Sequence, residues 1–574
     1  MNNRSFKSPR LHQTKSGWGP PQTTRGLYSK GFAEFPHSQN HASSGPERPP
    51  EWRKSATFGA DLAQIEAALA NFGTRECVEF RRSILSDHLG LASYLAEDYL
   101  RVAEDKTYVD ANRRLLTLNN RLFLKDLNLS SGQKEIRSFC RRQSLCCMKL
   151  SARLQPEIAW QRCCVLLEDY ELAAPSLEDG LQPALNTLSD EKWWLRKIQR
   201  IQLQRLESIR RDLGLVQHRR SSYCSSSAFH KRQYQISQTR LWLESQVAID
   251  DEGNELSLLE ISEHNVSNPA IRRAELMTRI RGFEEVADSC GHVGEFLTIS
   301  APSRMHSHLK NGRRNPKFDG SDVSEIQAYL KHVWSLIRAK YGRLNIKPYG
   351  FRVVEPHHDG TPHWHLLLFV PKHQADDLAN VARYYALKTD GDERGAKKHR
   401  FKRITIDASK GTAAGYIAKY VAKNIDGAFL KNDLYGDDAK LAAAKIEAWA
   451  RSWNIRQFDQ IGGPSVTVWR ELRRLSTDDR DLIEDERRAA DASDWAAYCL
   501  LMCGNDMQYS SCELKPAYEI PHEVDLETGE LLPKRTRHGY ICAPRLIGLK
   551  KLSFLIPTRT KRFRVENRKA QAPP

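Results

Sequence analysis

At 574 residues the chain is too long for one hydrophobic core, so its length implies several folding units. Apolar residues make up 40 % of it and mean hydropathy is −0.60, and no run approaches the roughly 18 apolar residues a membrane span needs. With 88 Lys and Arg against 71 Asp and Glu, the net charge of +17 favours a polyanionic partner, nucleic acid before anionic membrane or acidic protein.

The first residues, MNNRSFKSPRLHQTKSG, are basic without an apolar stretch, which argues against a secretory signal. Residues 1–55 hold seven prolines and little apolar periodicity, so 1–58 reads as a disordered basic segment. The 12 cysteines show no disulfide-framework spacing and read as reduced and cytosolic. The vicinal pairs Cys146-Cys147 and Cys163-Cys164 invite a zinc site. Adjacent residues on a helix diverge by about 100°, however, so buried small hydrophobes are the better reading, as for Cys499 and Cys503.

From Asp61 to about 280 the spacing predicts amphipathic helices, making 59–282 a mainly helical, basic region. Trp194, Ile198, Ile201, Leu206, Ile209 and Leu213 repeat at helical spacing, with Arg196, Lys197, Arg200, Arg205, Arg210 and Arg211 on other faces. Between Glu191 and Glu244 there are 12 Lys and Arg against four acids, with Tyr223, Phe229, His230 and Tyr234 among them. Such a stretch suits a DNA-tracking surface, or equally a solvated basic face.

Near residue 295 the period changes. Glu295–Ala301 reads as a strand, Ser324–Lys340 as a helix, and Tyr349–Glu355 and His363–Val370 as strands joined by a turn-rich loop. A helix over Ala413–Lys423 follows, and Ile461-Gly-Gly-Pro464 breaks the chain before another over Val466–Leu475. Hairpin strands interrupted by helices predict an antiparallel α+β domain over 283–478. The C-terminal region, 479–574, contains a hairpin signal at 524–532. Its last 44 residues hold 12 Lys and Arg and one acid, a tail suited to holding DNA or to solubility.

Two short segments carry chemistry. His363 and His365 share one strand face, Trp364 and Leu366 the other. Two imidazoles a strand-step apart can share a divalent ion, and Glu355, ending the partner strand, is the expected third ligand; His357 and His358 compete for that role. A carboxylate suits Mg²⁺ or Mn²⁺, and imidazole pulls towards Mn²⁺. In GTAAGYIAKYVAKNIDG, Tyr416, Lys419, Tyr420 and Lys423 form one stripe at i, i+3, i+4 and i+7, while Ile417, Val421 and Ile425 form the apolar one. Half-buried tyrosines under snorkelling lysines are the alternative. Together the elements suit attack by a phenol on a DNA phosphodiester, with the ion polarising phosphate and Lys419 and Lys423 supporting phenolate. The bond energy kept in a phosphotyrosyl ester allows rejoining, and two nucleophiles allow a second cut while the first end is held.

The ordered segments Phe296-Leu-Thr-Ile-Ser300, Pro362-His-Trp-His365 and Tyr416-x-x-x-Tyr420 resemble the motifs of HUH endonucleases with two tyrosines. The stretches EPHHDGTPHWHLLLF, AAGYIAKYVAKNIDG and RSWNIRQFDQIGGPSVTVWRELRRL resemble the replication gene A endonucleases of P2-like phages. The resemblance implies a central antiparallel sheet flanked by helices, with a helical region before it. It implies metal-binding histidines at 363 and 365 and catalytic tyrosines at 416 and 420. The implied activity is a nick in the single-stranded phage origin that leaves a 5′-phosphotyrosyl end and a 3′-hydroxyl for rolling-circle synthesis. Host helicase and polymerase would be the partners and the bacterial cytoplasm the location. A rolling-circle transposase or conjugative relaxase keeps the chemistry and changes the biology. A non-catalytic origin-binding protein changes both.

Overall fold

The computed structural model describes residues 61–568, apart from 408, 410, 429, 434, 435 and 476–480. The segment 1–58 lies outside the described residues. Up to Asp212 the chain is mostly helical and builds two cores. One gathers Ile65, Leu95, Tyr99, Leu115 and Leu122; the other gathers Phe139, Cys147, Cys163, Leu185 and Trp194. Helix α1 (Glu191–Asp212) serves both, with Trp193, Trp194 and Ile198 in the second core and Ile209 in the first. Each large aliphatic side chain so buried contributes roughly 1.5–3 kcal/mol. Cys147 and Cys163 are buried among these apolar side chains with Cys140, as expected of small hydrophobes, whereas their neighbours Cys146 and Cys164 are exposed and half-buried, contrary to that expectation.

Helix α2 (Ser226–Glu244) is capped by the Ser225 hydroxyl, which accepts from the Ala228 N–H. The next residues depart from the helical expectation, forming strands β1 (Gln246–Asp250) and β2 (Glu255–Ser257). Their partner explains the difference. Phe563–Asn567 pairs antiparallel with β1 from more than 300 residues away, a contact no local pattern reveals.

The α+β unit follows. Helix α3 (Pro269–Ser289) leads into β3 (His292–Ser300), α4 (Val323–Arg343), the hairpin β4 (Tyr349–Pro356) and β5 (Pro362–Pro371), then α5 (Ala375–Leu387) and β6 (Phe401–Thr405). Helices α6 (Ala413–Ile425) and α7 (Ala439–Ser452) precede β7 (Phe458–Ile461). The five strands form one antiparallel sheet in the order β6-β3-β5-β4-β7, so the central-sheet expectation holds. Period-two alternation sorts β5 between two cores. Trp364, Leu366, Leu368 and Val370 pack under α4 and α5; Leu367 and Phe369 face α3 and the Ile417, Val421 and Ile425 stripe of α6. Gly350 has φ +144°, and a Cβ there would lie 2.0 Å from the Leu367 carbonyl oxygen, so only glycine lets β4 approach β5.

The C-terminal region is folded onto this unit. A short helix, Val466–Leu472, ends before the expected Leu475. A three-stranded sheet of Leu514–Glu519, Arg545–Lys551 and Phe554–Pro557 places Leu514, Leu549 and Ile556 in the same core as α6. The expected hairpin forms, with Val524 opposite Leu531. Several tail cations are committed to intramolecular pairs: Lys551 with Glu486 at 3.0 Å, Arg559 with Glu471 at 2.7 Å and Lys561 with Asp250 at 3.6 Å. Over its described residues, 531–568, the tail is therefore part of the fold rather than a free basic extension. Among the described residues no helix is long and apolar enough to cross a membrane.

Candidate active site

The β4–β5 hairpin sets Glu355 opposite His363, and His365 lies opposite Val353 on one side and Thr298 of β3 on the other. All three polar groups point to the α6 side of the sheet and are buried. Glu355 Oε2 lies 3.7 Å from His363 Nε2 and 3.6 Å from His365 Nε2. These separations are too long for hydrogen bonds and of the size found between ligands of one ion. His363 Nδ1 and His365 Nε2 are buried with no hydrogen-bond partner. Thr298 Oγ1, 3.1 Å from His365 Nδ1, orients that ring and leaves Nε2 turned to the carboxylate. Among the described residues, Glu355, His363 and His365 are the group whose ligand atoms converge, within 4.8 Å of one another. His357 and His358 stay outside it. His357 stacks on His363 with ring centroids 4.0 Å apart, and the His358 carbonyl accepts from the Tyr223 N–H.

The electrostatics keep the donors free. Burial pushes the His363 pKa far down, helped by His357, His365 and Lys423, so the imidazole is neutral. Burial, with His306 beside it, takes His357 to about 3. For Glu355 burial acts to raise the pKa, but Lys423, His365 and Asn424 outweigh it and hold the carboxylate ionised.

Helix α6 packs over this centre. The Tyr420 ring lies 4.2 Å from the His365 ring and 5.4 Å from that of Phe296, while Tyr416 sits further out, 6.4 Å from Phe296. One turn on, Lys423 is buried with Nζ 3.5 Å from Glu355 Oε2 and 5.4 Å from the centre of the Tyr223 ring. Lys419 remains exposed, its ammonium 5.0 Å from the centre of the Tyr420 ring. The two lysines are thus unlike: one is tied to the Glu355 carboxylate, the other open to solvent. Burial and the Glu355 charge raise Tyr420 to about 12, against the expectation that neighbouring cations favour its phenolate.

The sequence profile of the bacteriophage replication gene A protein (GPA) family matches residues 130–428, a span holding the hairpin, both tyrosines and α1. The chain belongs to that family. Similar proteins include the replication gene A protein of Escherichia phage 186, 41 % identical over 353 residues, covering 60 % of this chain and 51 % of the relative. The replication gene A protein of Escherichia phage P2 is 37 % identical over 361 residues, covering 60 % and 47 %. A probable replication endonuclease from a prophage-like region of Salmonella paratyphi A is 32 % identical over 399 residues, covering 64 % and 50 %. The chain thus spans about half the length of these curated relatives. No solved structure matches it.

Three supports of this gene A family site escaped the sequence reading. Asn424 donates to Glu355 Oε1 and to the Tyr420 carbonyl, and its own oxygen accepts from Gln457 Nε2 at 3.1 Å. It ties the tyrosine helix to the acidic ligand. The spacing contained a signal, since Asn424 continues the 416, 420 series by one more step of four. Arg211, assigned from sequence to a basic outer face, is buried. It donates to the carbonyls of Asp359, Met305 and Ser321 and to Thr361 Oγ1, at 2.6–2.8 Å. The third, Tyr223, also counted among the candidate DNA contacts, is fully buried at φ +76° and supports Lys423 instead.

Proposed function

We propose that this chain is a replication-initiating endonuclease that cuts single-stranded origin DNA with a tyrosine and can rejoin the ends. The observation that carries the reading is the Tyr420 ring packed against His365, inside a buried carboxylate–imidazole group. Glu355, His363 and His365 would hold a divalent ion, Mg²⁺ or Mn²⁺; the two imidazole Nε2 atoms facing the ionised carboxylate fit one. When bound, the ion supplies Lewis-acid polarisation of a phosphate oxygen.

The chain's own residues do the rest. Thr298 and Asn424 orient a ligand each, and Phe296 fixes the Tyr420 ring by stacking. Tyr420 rests as a neutral phenol, so its proton leaves as the phenolic oxygen bonds to phosphorus. The P–O3′ bond breaks, the 3′ oxygen takes up a proton, and the 5′ phosphate stays on tyrosine. Reversal by a 3′-hydroxyl rejoins the strand with no external energy source. Tyr416, one turn outward, is the second nucleophile for a later exchange. The released 3′-hydroxyl is what a host polymerase extends behind a host helicase, placing the reaction in the bacterial cytoplasm.

The test is incubation of origin-bearing single strands with Mn²⁺ or Mg²⁺, followed by denaturing electrophoresis. A covalent protein–DNA adduct should form and should vanish when Tyr416→Phe and Tyr420→Phe are combined. Tight binding with no adduct would select an origin-binding protein instead.

A further inference from the structure

The catalytic face of the sheet is closed on one side and open on the other. Cross-strand register puts Lys402 of β6 opposite Thr298, itself opposite His365, in one row that continues to Val353 and Phe458. The next row runs Ile404, Phe296, Leu367, Phe351. Directly opposed residues share a face, so Lys402 and Ile404 lie on the histidine side. Within these rows every residue from β3 to β7 is buried or half-buried, whereas Lys402 is exposed and Ile404 is 42 % exposed. The opposite face is shut under α4 and α5.

Helix α6 has the same polarity. Its Lys423 and Asn424 end lies at Glu355 of β4, Tyr420 lies over β3 and β5, and Tyr416 lies one turn back towards β6. Of the two sheet edges, β6 is therefore the one on the Tyr416 side of the helix. The two cations of this strand differ in kind. Arg403, on the other face, is locked by Glu295 and Asp376, both at 2.7 Å. Lys402 makes no ion pair among the described residues.

Resting on the endonuclease reading, we infer that the exposed β6 margin is the track on which the single-stranded substrate reaches the tyrosines. Lys402 contacts a backbone phosphate neighbouring the scissile one, and the exposed Ile404 offers an apolar contact to a base. Lys402 stands about 10 Å from His365, two inter-strand spacings, which is near enough to engage the same strand. A phosphate contact of this kind is sequence-independent and salt-sensitive.

The test uses the full chain and a fluorescein-labelled single-stranded oligonucleotide of mixed sequence. Anisotropy is read over a salt series without divalent ion, so that binding is separated from cutting. Lys402→Gln should weaken binding on the order of fivefold and make the salt slope shallower by about 0.7, the value for one phosphate contact on a single strand. Lys402→Glu should weaken it further. Lys331→Gln, an exposed lysine of α4 on the closed face, is the control and should leave the slope unchanged. Equal slopes for Lys402→Gln and the wild type, or equal losses for the two glutamine variants, would overturn the inference. An adduct assay on the same proteins tells the readings apart. If the wild type forms no adduct while Lys402→Gln still shifts the slope, the nuclease reading fails and only a single-strand contact at β6 stands. A normal wild-type adduct with an unchanged slope removes the track alone.

Discussion

Tyr420 and Tyr416 share a helix face but differ in surroundings. Tyr420 stacks between Phe296 and His365 with its pKa pushed up to about 12 by burial, while Tyr416 lies against the Phe296 end of that stack. The first cleavage should therefore depend unequally on the two. Tyr420→Phe is expected to reduce first-turnover adduct by at least tenfold and Tyr416→Phe by much less, measured by quenched-flow labelling of the protein. The ligand residues predict a result independent of cutting. His365→Ala should abolish Mn²⁺ binding in titration calorimetry. Thr298→Val, which removes only the partner of His365 Nδ1, should weaken it roughly tenfold, as losses of such outer partners do. Single-strand affinity should stay within about twofold in both, because binding rests on distributed cations. Much of this was legible: the histidine pair, Glu355 and the tyrosine stripe all follow from periods of 2 and 3.6. The inequality of the tyrosines was not, because Phe296 and Thr298 come from a strand more than 60 residues away in sequence.

At the scale of elements, the β4–β5 hairpin holds its histidines at a cost in acid. His357 is half-buried, stacked on His363, and its folded pKa is near 3, below the unfolded value of about 6.5. Protonation therefore favours the unfolded chain. The stability tied to His357 is present in full above pH 6.5 and is lost as pH falls from 6.5 towards 3. His357→Phe, which keeps a ring in the stack, should flatten that part of the stability–pH curve in urea unfolding. Behind the same turn, Arg211 binds three carbonyls and Thr361 and lies 3.6 Å from the buried Asp359 carboxylate. Arg211→Met leaves that carboxylate buried without its cation and should cost about 3–5 kcal/mol in the same assay. The helix bearing Arg211 was readable from Trp194, Ile198 and Ile209. The residue's role was not, since an arginine among arginines looks like solvated surface until the loop it holds is seen.

Across the whole molecule, the segments the sequence separates are joined. Arg211 and Tyr223 of the helical region support the β4–β5 hairpin and Lys423 of the α+β unit, Leu549 and Ile556 of the C-terminal region pack under the tyrosine helix, and Phe563–Asn567 completes the β1 sheet. The antiparallel α+β class could be read from alternating strand and helix periods, but these couplings could not, because each pairs segments with no shared local pattern. The Arg211, Tyr223 and α6 contacts meet at the centre where a tyrosine of α6 is proposed to attack DNA covalently. Lys419 makes that attack directly measurable, since trypsin cleaves after it and places Tyr416 and Tyr420 on different peptides. After one round of cleavage on origin-bearing single strands, mass spectrometry of the DNA-linked peptide should find nucleotide on the fragment 420–423, with a minority on 411–419. Nucleotide on neither fragment, or none attached to protein, would contradict the account.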